Sequence, residues 1–234
     1  MNSWFLLQSG KYDAAFNMAL DEALLEAMPR LQKPVLRFYG WAEPAASFGY
    51  FQKFLEVERA TFLRPLVRRP TGGGIVPHDA DWTYSFAVPP NHEWHSLKAV
   101  ESYRGIHEWI RAAFAKLKIE TELAAEKKSE IRNPKSKISV ACFAGYEKSD
   151  VLWHGKKIAG AAQRRNKLGL LIQGSVQPPP VSVARDDWEN AMREVARERF
   201  HVEWNEFLPG AILKKRVEEL ARQKYSQDAF SRKR

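Results

Sequence analysis

Across residues 13 to 28 the apolar side chains Phe16, Ala19, Leu20, Ala23, Leu24 and Ala27 recur at helical spacing, with Asp13 placed as N-cap and Pro29 as the stop. The period then shortens. Val35–Trp41 and residues 45–51 read as strands divided at Pro44, and residues 65–68 read as a third strand running into a group of glycines. Trp82–Val88 is a further strand, closed by Pro89 and Pro90. A long helix is expected from Ser96, its stripe formed by Val100, Tyr103, Ile106, Ile110, Ala113, Phe114 and Leu117. Residues 150–177 return to strand spacing, with turns at His154-Gly155 and at 166–169, the pattern of a β-meander. Helices over roughly 185–199 and 210–225 follow. The polar, basic residues 226–234 are expected to fray. No repeat, low-complexity tract or linker divides the chain, so a single domain over residues 1–234 is expected.

With 44% hydrophobic residues among 234, the chain has enough apolar surface for a sizeable core. No stretch approaches the ~18 apolar residues of a membrane helix, and the run from Trp4 to Leu7 lacks the flank and length of a signal peptide. A cytoplasmic protein that does not engage membrane is therefore expected. The one cysteine, Cys142, rules out an internal disulfide framework and fits a reducing compartment. A net charge of +9 implies attraction to something acidic. The basic residues are spread along the chain, without zinc-finger spacing or an aromatic RNA-binding strand, which argues against nucleic acid. Five basic residues do gather between Lys127 and Lys137, beside one acidic residue and a proline, and read as a mobile basic loop just before Cys142.

The densest chemical signal is Arg68-Arg69-Pro70-Thr71-Gly72-Gly73-Gly74-Ile75-Val76-Pro77-His78-Asp79. Adjacent glycines after a strand permit positive φ and let a ligand approach main-chain amides. The spacing is neither that of a phosphate-binding P-loop nor that of a dinucleotide fold, and a plain tight turn is an equally simple reading. A second signal joins Cys142-Phe143, then Gly155-Lys156-Lys157-Ile158-Ala159-Gly160-Ala161-Ala162-Gln163-Arg164, then Gln173-Gly174-Ser175. Small residues inside a strand waste packing unless a slim ligand or another backbone needs the space. A lone cysteine is ordinarily an inert small hydrophobe, and acts as a nucleophile only where a cation such as Lys157 favours its thiolate. His92 and His95 lack a third ligand in a convincing pattern, so no metal site is expected.

In order and separation these motifs, together with Tyr84-Ser85, resemble the lipoate-protein ligase and octanoyltransferase family. The resemblance implies an α/β (α+β) fold: a mixed, largely antiparallel sheet with packed helices, of the biotin and lipoate ligase catalytic-domain type. It implies Cys142 and Lys157 as catalytic residues, with Lys157 touching the acyl carbonyl. It also implies an acyl tunnel whose substrate-binding residues are Arg69, Thr71, Gly72, Gly73, Gly74, His78, Asp79, Ala159, Gly160, Ala161, Gln163, Gly174 and Ser175. The cysteine followed by Phe143 resembles the cysteine-dependent octanoyltransferase branch. That branch moves a medium-chain acyl group from acyl carrier protein to a lysine of a lipoyl domain or glycine cleavage H protein, with no cofactor. Two readings stand beside it: a ligase using ATP and Mg²⁺ with the same Lys157, and a non-catalytic acyl-binding protein on the same scaffold. Pro77, Gln173 and the run Asp79-Ala80-Asp81 before Trp82 depart from the family pattern.

Overall fold

The computed structural model describes residues 2–125 and 145–233. The chain opens with β1 (Asn2–Tyr12), α1 (Ala14–Leu31), β2 (Val35–Trp41), β3 (Ala45–Phe48), α2 (Phe54–Ala60), β4 (Leu66–Arg68), β5 (Val76–His78) and β6 (Trp82–Val88). It continues through α3 (Glu93–Ser96), α4 (Ala99–Lys116), β7 (Glu122–Leu123), β8 (Val151–Trp153), β9 (Lys156–Asn166) and β10 (Gly169–Val176). The last elements are α5 (Arg185–Phe200), β11 (Val202–Glu206), α6 (Ala211–Leu220) with a π-helical turn (Ala221–Tyr225), and α7 (Asp228–Ser231).

Among the described residues eight strands form one sheet in the order β11-β1-β2-β6-β10-β9-β8-β7, and a second sheet has the order β4-β3-β5. In the large sheet β1 runs parallel to β11 and β2, and the other neighbours are antiparallel. The expected mixed, largely antiparallel sheet is thus present. Successive strand residues face opposite sides. Leu36, Phe38, Trp82, Tyr84, Phe86 and Ile172 face α4 and α5, where they pack with Trp109, Ile110 and Trp188. The other side meets α1 and α6 through Val35, Ala87, Leu171, Leu24, Met28 and Val217.

Several expectations need correction. Asp13 does cap α1, its carboxylate accepting from the amide of Phe16 at 2.7 Å, but the helix continues past Pro29 to Leu31. Pro29 lies in the last turn, where it forfeits one helix hydrogen bond without ending the helix at once, and the helix closes at Gln32 in the left-handed conformation. The strand expected over 45–51 ends at Phe48, where its pairing with β4 in the small sheet ends opposite Arg68. In α4, Val100 is exposed, and the stripe begins to bury only from Ser102 and Ile106. β1, α2, β5 and β11 had no counterpart in the sequence pattern.

The end of the chain, expected to fray, forms α7. The buried Arg68 holds it, donating to the carbonyls of Ser231 at 2.8 Å and Phe230 at 3.3 Å. The basic run 127–137 and the Cys142-Phe143 pair lie outside the described residues.

Candidate active site

On the α1 side, the middle of the large sheet carries polar side chains in two rungs. Register places Arg37, Ser85, Gln173 and Ala162 side by side across β2, β6, β10 and β9. The adjacent rung is Tyr39, Thr83, Ser175 and Gly160. Each rung ends on β9 in a residue with little or no side chain, which leaves room above it.

A buried aspartate gathers the polar groups of each rung. Asp21 of α1 accepts from Arg37 at 2.6 Å, Tyr39 at 3.0 Å, Ser85 at 2.7 Å and Gln173 at 2.7 Å. The other amide end of Gln173 accepts from Thr71 at 2.8 Å, tying β10 to the glycine loop. Burial, and then the negative charge of Asp21, push the Tyr39 hydroxyl well above its ordinary range, so it stays a donor. Asp81 accepts from Thr83 at 2.9 Å and Ser175 at 2.7 Å, and lies 2.9 Å from His78 Nδ1. His78 Nε2 stands 2.7 Å from the Ser47 hydroxyl, which accepts from Arg69 at 3.0 Å. A consistent proton assignment has Ser47 donating to Nε2 and Nδ1–H donating to Asp81.

Between the two hubs lies a pocket of about 430 Å³, part of it open to solvent. Met18, Trp41, Val76, Gly73, Ala161 and Ala162 give it apolar walls. The polar residues lining it have their hydrogen bonds directed into the hubs, so an alkyl chain can lie against them without stranding a donor.

The glycine loop forms one wall. Gly73 has φ +88°, and a Cβ built on Gly49 would stand 2.0 Å from the Gly73 carbonyl oxygen. Glycine at 49 is what lets β3 press against the loop, a requirement that the triple-glycine motif alone does not reveal. Arg69 completes the loop by donating to the carbonyls of Gly72 at 2.7 Å and Gly74 at 2.9 Å.

Lys157 stands at the β9 edge. The β8–β9 pairing slips by one residue, Val151 opposing Ala159 while Leu152 opposes Lys157, and such a bulge re-aims the side chains beside it. The Lys157 ammonium lies 2.8 Å from Asp150 Oδ2, with side-chain exposures of 5% and 0%. Its chain passes over Gly160, where a Cβ would meet Lys157 Cε at 2.6 Å and Nζ at 2.8 Å. Asp150 also accepts from the amide of Glu147 at 2.7 Å and from the Tyr103 hydroxyl.

The fold therefore brings together Arg69, Gly73, His78, Gly160, Ala161, Gly174 and Ser175 around the pocket, with Thr71, Gly72 and Gly74 in its loop wall and Lys157 at its edge. Three other candidates stand apart. Asp79 is exposed, and the buried carboxylate is that of Asp81. Ala159 packs in the core on the α4 side. Gln163 is bonded to Ser102 at 3.1 Å and to the carbonyl of Ala99 at 2.7 Å. Met18, Asp21, Tyr39, Trp41, Ser47, Thr83 and Asp150 belong to the site and were not singled out from the sequence. Among the described residues no group of three or more His, Cys, Asp or Glu is arranged to hold a metal. No described helix is long and apolar enough to cross a membrane.

A mixed sheet whose glycine loop and small-residue strand wall a pocket defines the class of domain, and comparison with known proteins identifies the family. The Lipoyl protein ligase A/B catalytic domain profile matches residues 13–179, and the chain belongs to that family. It is 38% identical over 185 residues to Octanoyltransferase LipM of Halalkalibacterium halodurans, an alignment covering 75% of this chain and 66% of that protein. It is also 38% identical over 183 residues to Octanoyltransferase LipM of Bacillus subtilis, covering 74% and 65%. The chain thus spans just under two thirds of the length of these relatives. A crystal structure of lipoate-protein ligase A bound with ATP shares the fold, with TM-score 0.77, 22% identity and 99% of both chains covered.

Proposed function

We propose that the protein is an octanoyltransferase. It moves an octanoyl group from an acyl-carrier-protein thioester, through an acyl-Cys142 intermediate, to a lysine of a lipoyl domain or of glycine cleavage H protein. The observation that carries this reading is the 38% identity over 185 residues to a protein named an octanoyltransferase. The pocket supports it, being lined by apolar walls and by polar groups already bonded to Asp21 and Asp81.

The Cys142 thiolate attacks the thioester carbonyl and the carrier thiol departs, an exchange of one thioester for another of nearly equal energy. The amine of the acceptor lysine then attacks the acyl-cysteine, forming an amide and releasing the thiol, a downhill step. Lys157 donates to the carbonyl oxygen as negative charge develops there, a contribution of ~3 kcal/mol for a well-placed donor. The reaction needs neither ATP nor Mg²⁺. The positive charge of the protein draws in acidic carrier domains.

The test is incubation of the purified protein with octanoyl acyl carrier protein in the absence of ATP, followed by intact mass. The expected result is an octanoyl adduct that Cys142→Ser abolishes. Labelling of a lipoyl domain that requires lipoate and ATP, and is indifferent to Cys142→Ser, would make the protein a ligase.

A further inference from the structure

We infer that residues 221–233 clasp the pocket from outside, holding α1 through Glu22 and the glycine loop through Arg68, so that these two residues position the pocket walls for acyl binding. That the pocket takes an acyl chain rests on the octanoyl-transfer reading.

Each anchor stands next in sequence to a residue that serves the pocket, and faces away from it. Neighbours on a helix point ~100° apart. While Asp21 gathers its rung, Glu22 turns to the C-terminal segment, where its carboxylate accepts from Lys224 at 2.8 Å and from the buried Tyr225 at 2.8 Å. It also meets Arg164 at 3.4 Å, which brings β9 to the same point. Neighbours along an extended strand point to opposite faces. Arg69 reaches into the glycine loop, and the fully buried Arg68 turns the other way. Its guanidinium donates to the carbonyls of Ser231 at 2.8 Å and Phe230 at 3.3 Å, and to those of Tyr50 at 2.8 Å and Gln52 at 2.7 Å.

The turn over residues 49–52 passes the restraint on. The Tyr50 amide donates to the carbonyl of Thr71 at 2.8 Å, the Gly49 amide donates to Gln52 Oε1 at 2.9 Å, and Gly49 backs onto the Gly73 carbonyl. Lys233 adds a second tie, its ammonium 3.0 Å from the Tyr50 hydroxyl. Phe230 joins the two ends of the clasp. Its ring meets Tyr225 edge-on at 5.3 Å, with the ammonium groups of Lys224 at 4.8 Å and Lys233 at 4.5 Å from its centroid. A continuous path of packed side chains and hydrogen bonds thus runs from α1, which gives Met18 to the pocket, to the loop, which gives Gly73. Once that path is cut, the loop must be ordered as the acyl chain enters, a cost that falls on binding and not on the chemical steps.

The experiment compares wild type, Phe230→Ala, Lys224→Met and Lys224→Arg, all as the full chain. Backbone hydrogen exchange is followed by mass, and adduct formation is measured over a range of octanoyl acyl carrier protein concentrations. Phe230→Ala is expected to exchange ~3–10-fold faster over residues 71–75, with residues 82–88 and 170–176 unchanged. Its half-saturating donor concentration should rise by ~3–10-fold while the saturating rate stays within about 2-fold. Lys224→Met, which touches only the α1 end, should shift the same loop and the same concentration in the same direction, and Lys224→Arg should match wild type. A folded Phe230→Ala with loop exchange and half-saturation unchanged overturns the inference. So does exchange that rises equally in the loop and in both strands, since the segment would then be part of the general scaffold only. Should Phe230→Ala fail to fold, Lys224→Met decides by the same two readouts. A wild type that takes up no octanoyl overturns the transferase reading, while the exchange comparison still judges the clasp.

Discussion

The indole of Trp41 lies flat on the imidazole of His78, ring centroids 3.8 Å apart and planes 17° from parallel. Both rings are also tied at their edges to one carboxylate: Trp41 donates to Thr83 at 2.8 Å, and Thr83 and His78 both meet Asp81. Trp41→Phe keeps an aromatic face on His78 and removes the indole N–H. The expected outcome is a loss of ~1 kcal/mol of stability with octanoyl uptake retained. Trp41→Ala removes the stack as well and should lose ~3–5 kcal/mol, with slower uptake. Urea unfolding read beside adduct formation separates the two effects.

Tyr84 faces the α4 side of the sheet, and its buried hydroxyl has no hydrogen-bond partner among the described residues. An unmade hydrogen bond of this kind costs ~1–3 kcal/mol, so Tyr84→Phe is expected to stabilise the protein. A melting temperature equal to or below that of wild type would contradict the prediction.

His107 gives stability a pH dependence of definite sign. Its folded-state value of about 4 lies below the ordinary 6.5, mainly because burial disfavours the imidazolium. Between those values the unfolded chain binds a proton that the folded chain refuses, so stability rises with pH across the interval. The contribution is complete above about 6.5 and is lost as pH falls towards 4, by ~3 kcal/mol at most. Urea midpoints measured from pH 4.5 to 7.5 should show a shallower slope for His107→Leu than for wild type.

The Asp21–Arg37 pair has both side chains fully buried at 2.6 Å, and Arg37 also reaches Ser9 and Asn17. Asp21→Asn leaves the guanidinium without its counter-charge and is expected to cost ~3–5 kcal/mol. The pair also holds Gln173 against the glycine loop, so the variant should bind the acyl donor more weakly even below its unfolding temperature. Binding unchanged in a folded Asp21→Asn protein would show that the clamp is not needed.

Much of this architecture was legible in the sequence. Helical periodicity located α1, α4 and α5, strand spacing located β2, β6 and the β8–β10 meander, and the glycine motif located the loop that walls the pocket. The hubs were not legible, because their partners meet only in the folded sheet. Asp21 sits between Leu20 and Glu22 in an ordinary helical stretch, yet its bonds go to residues 37, 39, 85 and 173. Asp79 and Asp81 are alike in sequence, and the turn alone decides which carboxylate is buried. Ala159 and Gln163 carried a signal that was available, since alternation along β9 separates them from Gly160 and Ala162. The N-terminal β1 gave no such signal: it lies between β2 and β11, a partner more than 190 residues away in sequence.

The two polar rungs make the sheet a partition between two kinds of selective pressure. Along β10, Ile172 and Val176 face the apolar core while Gln173 and Ser175 serve the pocket hubs. β6 repeats this with Trp82, Tyr84 and Phe86 against Thr83 and Ser85. In a saturation library scored separately for protein abundance and for growth that depends on the enzyme, neighbouring positions on these strands should fall alternately into two groups. One group is depleted in both scores; the other falls much further in growth than in abundance. The tempo of that alternation, two residues, would trace the pocket from genetic data alone.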